Sequence, residues 1–271
     1  MDYSRFPNLQ VDKADGIATV TLNRPDVLNA ISGTGDGIGH LEMEDIWLAL
    51  ADDAQVNVIV LTGAGRTFSA GGNVKAMADR HGTELGWSEI LRTARGAKRL
   101  LSNILEVPQP IVTAMNGHAM GLGATIGLFT DTVVISETAK IGDTHVRVGL
   151  VAGDGGTVLW PLLLGVTRAK EFLMRGRVID GREAERIGLV NYAVPAEQVL
   201  PKAMEIAQDI NSLPPLAVRW TKLTANLALK NQFNAVMDGA IAYECLSMNS
   251  ADHGEATRAF VDKRPGKFRG L

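Results

Sequence analysis

Two glycine-rich turns, each placed where an apolar strand gives way to a helix, constrain the fold of this chain more than any other feature. The first turn covers residues 62–73 and the second covers residues 115–125. Glycine lets the backbone approach a ligand closely, and free N–H groups at the start of a helix favour negative charge. One such turn can be explained by tight strand-to-helix packing alone. Two of them predict a converging pair of N–H donors, which is what an oxyanion hole needs.

The first turn matches none of the common glycine motifs. Phe68 stands at the third glycine position of a dinucleotide fingerprint, and the turn has no Gly-Lys-Ser/Thr of a P-loop. Thr67 replaces the glycine two positions before Ser69, which excludes a nucleophile elbow.

Strand-like and helical stretches alternate over the first part of the chain, a pattern that predicts crossover units and a mostly parallel sheet. The predicted strands are 9–14 and 17–23, joined by a hairpin turn at Asp15-Gly16, then 56–62, 111–115, 132–136 and 189–194. The predicted C-terminal helices are 199–210, 216–229, 233–248 and 252–261. We therefore predict an α/β core over residues 1–195 and a helical region over residues 196–271. Residues 77–89 lack any period and are predicted to form a mobile loop that covers a site.

Composition excludes several classes of function. The net charge of −3 offers no basic field to nucleic acid or to anionic lipid. The single cysteine, Cys245, excludes an internal disulfide framework and a cysteine-rich zinc site, and no cluster in the sequence has metal-ligand spacing. No stretch reaches the roughly 18 apolar residues of a membrane helix, and the N-terminus lacks the order of a signal peptide. We expect a cytoplasmic protein that binds neither nucleic acid nor membrane.

The chain resembles the crotonase (enoyl-CoA hydratase/isomerase) family over nearly its whole length. The matching segments are Leu22–Pro25 with Leu28–Ala30, Phe68–Asn73, Asn116–Gly123, Gly149–Thr157, Gly181–Ala184 with Ile187–Val190, and Ala259–Phe260 with Lys263–Arg264. This resemblance implies a spiral of ββα units closed by a C-terminal helical trimerisation region, assembled as a homotrimer or hexamer. It also implies an acyl-CoA substrate and an enolate-like intermediate, with coenzyme A present as part of the substrate thioester and no permanently bound cofactor.

The resemblance also implies roles for individual residues. The two oxyanion N–H groups of the family fall on Gly72 and Leu122. The contacts to coenzyme A fall on Ala70, Val74, Lys75 and, in a neighbouring subunit's site, Lys263. The chain departs from the family at Asp26, where a basic residue is common, and this weakens one expected phosphate contact.

The catalytic glutamates of the family have no counterpart, because Thr125 and His145 stand in their places. A threonine hydroxyl is too weak an acid to serve unassisted as a general base near neutral pH. A histidine, with an ordinary pKa of about 6.5, can exchange a proton there. Asp154, nine residues after His145, could orient the imidazole as in many general-base pairs. A structural histidine and a helix-capping aspartate are the alternatives.

The segment from His145 to Asp154 is similar to a branch of the superfamily that cleaves carbon–carbon bonds in β-diketones with a histidine and an aspartate. Three functions therefore stay open. The leading one is an acyl-CoA lyase or isomerase with a non-classical catalytic set. The alternatives are a β-dicarbonyl hydrolase with a His145/Asp154 base, and a CoA-ester-binding protein without hydratase activity.

The remaining polar candidates are expected to serve structure. We predict that His118 lines the pocket, and that His40 and His253 are solvated on polar helices. Glu244 lies on a predicted C-terminal helix, where we expect a structural ion pair.

Overall fold

Two β-sheets carry the two glycine-rich turns in the computed structural model, which describes residues 1–32 and 37–270. Inside the helix that begins at Glu84, the side chains of residues 84–87 and 89 lie outside this description. The strands are β1 Leu9–Ala14, β2 Ile17–Leu22, β3 Ile31–Ser32, β4 Ile38–Gly39, β5 Val58–Gly63, β6 Thr67–Ser69, β7 Ile111–Met115, β8 His118–Met120, β9 Thr132–Ser136, β10 Lys140–Gly142, β11 Ile179–Asp180 and β12 Tyr192–Val194.

The larger sheet has the strand order β1-β2-β5-β7-β9-β12. Only its first pair is antiparallel, a hairpin in which Leu9 lies opposite Leu22; the other pairs are parallel. The smaller sheet has the order β11-β10-β8-β6, and a separate short parallel pair joins β3 to β4. The mostly parallel α/β arrangement and the Asp15-Gly16 hairpin turn are thus confirmed.

Ten helices surround and follow the sheets in the described part of the chain. They are α1 His40–Ala51, α2 Val74–Arg80, α3 Glu84–Glu106, α4 Leu122–Leu128, α5 Gly156–Leu164, α6 Val166–Arg175, α7 Gly181–Arg186, α8 Val199–Asn211, α9 Pro215–Met248 and α10 Ala251–Val261. None of the helices found among the described residues is long and apolar enough to cross a membrane.

Both faces of the larger sheet are covered, which explains the unbroken apolar run of β5. Ile59 and Leu61 face the main core, whereas Val58 and Val60 face a second cluster. α8 completes that second cluster with small side chains at helical spacing, Val199, Ala203 and Ala207. Buried parallel strands of this kind read as continuous hydrophobic segments rather than alternating ones.

The C-terminal helices pack on the same core as the sheets. Phe233 and Met237 of α9 belong to the main core cluster, and the Phe233 ring meets Phe129 edge-on at a centroid distance of 6.3 Å. The predicted helical C-terminal region is therefore present. The division at residue 195 stays a prediction.

Three details of the predicted elements are wrong. The irregular loop over residues 77–89 is replaced by the end of α2 and the start of α3, and α3 itself had no predicted counterpart. The two predicted helices 216–229 and 233–248 form the single helix α9, because its buried face continues through Phe233 without a breaking residue. The predicted strand 189–194 is shortened to β12, since Leu189 and Val190 pack in the core before pairing begins.

Candidate active site

The two glycine-rich turns lie in contact. The parallel pairing of β6 with β8 sets Ser69 beside Ala119, so both turns leave the smaller sheet on the same side. At Gly71, with φ of +75°, a Cβ atom would lie 2.3 Å from the carbonyl oxygen of Met120 and 3.3 Å from the nitrogen of Leu122. Only glycine permits this approach, because a Cβ atom at 2.3 Å would overlap the oxygen.

The N–H groups of Gly72 and Leu122 are available to a ligand. In the described part of the chain neither N–H donates to a backbone carbonyl. Leu122 is the first residue of α4, where an N–H group has no carbonyl partner one turn earlier. Both residues line one cavity of about 580 Å³, which lies between the smaller sheet, α2, α3 and the C-terminal helices.

His145 lies on the opposite side of the second turn, held between two aspartates. Its Nδ1 lies 2.8 Å from Oδ1 of Asp143, and its Nε2 lies 3.0 Å from Oδ2 of Asp154. A Cβ atom at Gly121 would lie 3.4 Å from Cε1 of His145, which places the imidazole directly beside the turn that ends in Leu122. The predicted neighbours His145 and Asp154 are thus brought together, whereas Asp143 was missed, although the spacing Asp-Thr-His was present in the sequence.

Burial and the two neighbouring carboxylates, Asp143 and Asp154, act in opposite directions on the pKa of His145. Burial lowers the pKa of His145, but the charges of Asp154 and Asp143 and their hydrogen bonds outweigh it and raise the pKa well above its ordinary value. The ring is therefore an imidazolium that donates one N–H to each aspartate. Oδ1 of Asp154 is buried and has no hydrogen-bond partner within the described chain, and Asp154 lines the cavity.

Glu244 reaches the same cavity from α9. Its side chain packs on the loop before Asp154, because a Cβ atom at Gly153 would lie 2.7 Å from Cβ of Glu244. Burial, with a further contribution from the Asp154 charge, raises the pKa of Glu244 well above its ordinary value. Its Oε2 has no hydrogen-bond partner among the described residues. This direction favours a protonated Glu244 carboxyl beside Asp154. The structural ion pair predicted for Glu244 is wrong, since no cation of the described chain pairs with it.

The fold also creates a cluster that sequence spacing could not reveal. One ligand atom each from His145, Asp154 and Glu244 lies within 4.8 Å of the others, so these groups could hold a metal ion. Asp143 would then support the histidine as carboxylates do behind metal-bound imidazoles. However, an ion would have to displace the hydrogen bond from His145 to Asp154. The expectation of no metal stays a prediction.

Thr125 and the predicted coenzyme A contacts occupy different surroundings. Thr125 is buried outside the cavity wall, with Oγ1 unpaired in the described chain and its methyl group against Gly155. Ala70 and Val74 line the cavity, while Lys75 and Lys263 are exposed outside it.

Two features of the cavity entrance bear on phosphate binding. Asp26 is paired with Arg24 at 2.9 Å and so does not leave an isolated acidic charge. Sequence reasoning missed Arg92 and Arg147, two exposed cations on the cavity wall.

The other histidines lie in places that differ from those predicted. His118 is exposed outside the cavity and its Nδ1 accepts a hydrogen bond from the Lys140 N–H at 2.9 Å. His253 is buried where α10 packs on the short helical turn 145–148, and its Nδ1 donates to the Val148 carbonyl at 2.7 Å. His40 is buried because the start of α1 faces α3, and it lines the cavity. Both buried histidines contradict the prediction of solvated side chains, which rested on polar sequence neighbours.

Comparison with known proteins agrees with this geometry. The model of the enoyl-CoA hydratase/isomerase family matches residues 12–270. A crotonyl-CoA hydratase of Syntrophomonas wolfei is 31% identical over 264 residues, which cover 97% of this chain and 98% of that protein. The crystal structure of an enoyl-CoA hydratase/isomerase from Mycobacterium paratuberculosis superposes with a TM-score of 0.86 at 32% identity, covering 93% of this chain and 97% of that one.

A second kind of enzyme shares the fold closely. The structure of a β-diketone hydrolase from the cyanobacterium Anabaena, bound to (S)-3-oxocyclohexyl acetic acid, superposes with a TM-score of 0.82 at 26% identity. The alignment covers 91% of this chain and 96% of that one.

Proposed function

Because this chain belongs to the enoyl-CoA hydratase/isomerase family, we propose that it transfers protons next to the carbonyl of an acyl-CoA thioester, with Asp154 and Glu244 in place of the usual glutamates. One observation carries this proposal. Asp154 and Glu244 lie side by side in the cavity that also exposes the N–H groups of Gly72 and Leu122, and burial raises the pKa of Glu244 well above its ordinary value. Two carboxyl groups in one site, one of which its surroundings favour in the protonated form, can serve as base and acid.

The thioester oxygen would accept hydrogen bonds from the N–H groups of Gly72 and Leu122, and Ala70 and Val74 would line the path of the pantetheine chain. Asp154 removes a proton from the carbon next to the carbonyl. The electron pair left behind forms an enolate, whose negative oxygen the two N–H groups stabilise; each such donor typically contributes about 3 kcal/mol. Glu244 then gives a proton to the far carbon of the conjugated enolate, and the double bond shifts along the acyl chain. Addition or loss of water uses the same two groups.

His145 and Asp143 position the base rather than act on the substrate. With both ring nitrogens bound to carboxylates, His145 has no free lone pair to accept a proton. The roles first expected for His145 and Asp154 are thus exchanged in the proposal, with Asp154 as the base and His145 as the group that orients it. Lys75, Arg92, Arg147 and, from a neighbouring subunit, Lys263 are the proposed cations for the phosphates of coenzyme A.

The test is hydrogen exchange at the thioester. Butyryl-CoA is incubated with the protein in deuterium oxide, and exchange at the carbon next to the carbonyl is followed by NMR, beside titration calorimetry of binding. We expect binding with exchange in the wild type, and binding without exchange in Asp154→Asn. Binding without exchange in the wild type would leave only a CoA-ester-binding protein. No binding would remove the acyl-CoA proposal.

A second candidate is hydrolysis of a carbon–carbon bond in a β-dicarbonyl compound, favoured by the Anabaena hydrolase and by the buried His145–Asp154 pair. Here Asp154 takes a proton from water, and the hydroxide adds to the carbonyl held at Gly72 and Leu122. The carbon–carbon bond breaks, its electron pair passes to the second carbonyl as an enolate, and Glu244 protonates that carbon. Oxygen-18 water would label the new carboxylate. A β-diketone turned over without any affinity for coenzyme A would favour this candidate over the first.

We also propose a homotrimer or hexamer. The C-terminal helices leave large apolar side chains exposed on α9 and α10, namely Leu216, Trp220, Leu227, Tyr243 and Phe260. Light scattering at micromolar concentration measures the mass; a monomer would contradict this assembly.

A further inference from the structure

His40, the first residue of α1, is a buried histidine to which neither the fold nor the proposed chemistry gives a partner. It is 8% exposed and lines the cavity. Nδ1 is fully enclosed and has no hydrogen-bond partner among the described residues. Leaving a buried polar group unpaired costs about 1–3 kcal/mol, so a partner supplied by a ligand would remove a real penalty.

The orientation of the ring leaves one nitrogen for a ligand. A Cβ atom at Gly96 of α3 would lie 3.1 Å from Nδ1 of His40 and 2.9 Å from Oε1 of Glu44. Nδ1 is therefore turned toward α3, next to Glu44 on the following turn of α1. Because His40 lines the cavity and its Nδ1 is turned to α3, Nε2 is the nitrogen left for a ligand.

The position of His40 relative to the oxyanion hole follows from strand pairing. Gly72 pairs with Ile31 of β3, and Ile31 pairs with Ile38 of β4, two residues before His40. Two strand spacings separate Gly72 from Ile38 by roughly 10 Å. His40 lines the same cavity as Gly72 and Leu122, so a ligand held at the two N–H groups can extend toward its ring.

His40 is also uncharged. Burial lowers its pKa, and the charge of Asp154, which faces the same cavity, only partly opposes this. A neutral imidazole has one nitrogen that donates and one that accepts. It can therefore bind a carbonyl or a hydroxyl oxygen, whereas a plain alkyl chain would leave it unpaired.

We propose that His40 is a specificity-determining residue that hydrogen-bonds an oxygen on the acyl group, so that the substrate is a 3-oxoacyl thioester of coenzyme A rather than a plain hydrocarbon one. This inference rests on the proposed acyl-CoA function. It adds to it the chemical class of the acyl group and a binding residue on α1 that lies apart from the acid–base pair.

The experiment compares acetoacetyl-CoA with butyryl-CoA, two ligands of equal chain length that differ only in the 3-oxo oxygen. Titration calorimetry gives Kd for both with the wild type, with His40→Phe and with His81→Phe. His81 is a matched control, since it is another histidine of the same cavity, at the end of α2. We expect wild type and His81→Phe to prefer acetoacetyl-CoA. His40→Phe should lose roughly three- to tenfold of this preference, as for one neutral hydrogen bond, with butyryl-CoA affinity little changed.

Two further variants guard against a folding defect. His40→Leu removes the ring with a smaller side chain and should lose the preference in the same way. His40→Gln keeps a donor and an acceptor and should recover part of it. A wild type without preference, or a His40→Leu protein that keeps the full preference, overturns the inference while leaving the acyl-CoA function intact. No binding of either ligand by the wild type overturns both.

Discussion

Nε2 of His145 donates a hydrogen bond to Oδ2 of Asp154 across 3.0 Å, and this bond decides which of the two groups faces a ligand. The imidazolium is occupied on both sides, so only the second oxygen of Asp154 is left for the cavity. In the more familiar arrangement, a carboxylate orients a histidine that reacts with the substrate. Here the histidine orients the carboxylate.

Replacing the two aspartates by asparagine should therefore have unequal effects. Asp154→Asn removes the base and should lower kcat by about 10²–10⁴, the usual contribution of general acid–base catalysis, while acyl-CoA affinity changes little. Asp143→Asn makes the same chemical change on the other side of His145, and its amide oxygen can still accept from Nδ1. It should lower kcat less. Steady-state kinetics with calorimetric Kd values check this, and equal losses in both variants would mean that Asp154 is not the group that reacts.

Glu244→Gln should stabilise the protein increasingly as the pH rises from 4.5 to 6.5. The folded state keeps the carboxyl protonated, because burial raises its pKa above the ordinary value of 4.5. The unfolded chain releases that proton, so wild-type stability falls with rising pH by up to about 1.4 kcal/mol per pH unit. Glutamine has no proton to release.

Urea unfolding of wild type and Glu244→Gln at several pH values in this window measures the difference. Glu106→Gln is the control, because Glu106 is exposed and paired with Lys230 at 2.9 Å. The difference in unfolding free energy between wild type and Glu106→Gln should stay nearly constant with pH. A constant difference for Glu244→Gln as well would show that its carboxyl ionises normally in the folded protein. The same variant should also lose catalysis, since an amide does not serve as a general acid.

Gly71→Ala should push the two glycine-rich turns apart. It should therefore lower kcat by more than its loss of folding stability accounts for. The new Cβ would lie 2.3 Å from the Met120 carbonyl oxygen. Gly188→Ala is matched in backbone conformation, with φ of +80° against +75°, but nothing lies within 4 Å of its Cβ. Both should lose about 1–2 kcal/mol for the left-handed backbone.

Only Gly71→Ala should also lose about 10²-fold in kcat, comparable to removal of one oxyanion donor. Denaturant titration and kinetics on both variants separate the two effects. A Gly71→Ala protein with normal kcat would show that the contact between the turns does not set the position of the two N–H groups.

Lys222→Met should weaken the attachment of α9 to the sheet. Nζ of Lys222 lies 2.7 Å from Oδ2 of Asp131 and 2.9 Å from the Gln109 carbonyl, and its side chain is 6% exposed. Removing one partner of a buried pair costs about 3–5 kcal/mol, and the lower end applies here because Asp131 is partly exposed. Lys98→Met is the control, because it breaks an exposed pair between Lys98 of α3 and Asp238 of α9. It should lower the free energy of unfolding by only about 0–1 kcal/mol. Equal urea midpoints for both variants would contradict the difference in burial.

Strands and glycine turns were predictable because their signals are local. The apolar residues of β7 are consecutive in the chain, and the hairpin turn consists of the adjacent residues Asp15 and Gly16, whose φ angles of +49° and +81° suit these residue types. Helix α3 was missed because its apolar positions, such as Ile90, Ala97 and Leu101, are separated by charged residues that face outward.

The candidate site was only partly predictable because its members meet through tertiary packing. The turns predicted a pair of N–H donors, and the resemblance to the family assigned them to Gly72 and Leu122. The pairing of His145 with Asp154 was expected from their separation of nine residues and from the resemblance. Glu244 comes from a helix ninety residues later, and its position in the sequence gives no sign that α9 brings it next to Asp154. The burial of His40 depends on Gly96, a position whose only signal is the missing side chain.

The proposed chemistry depends on the docking of the long helix α9. The sheets and their loops supply both turns and Asp154, whereas Glu244 enters only when α9 docks against α3 and α5. A molecule in which α9 has not docked would therefore lack the proposed acid and would remain chemically silent.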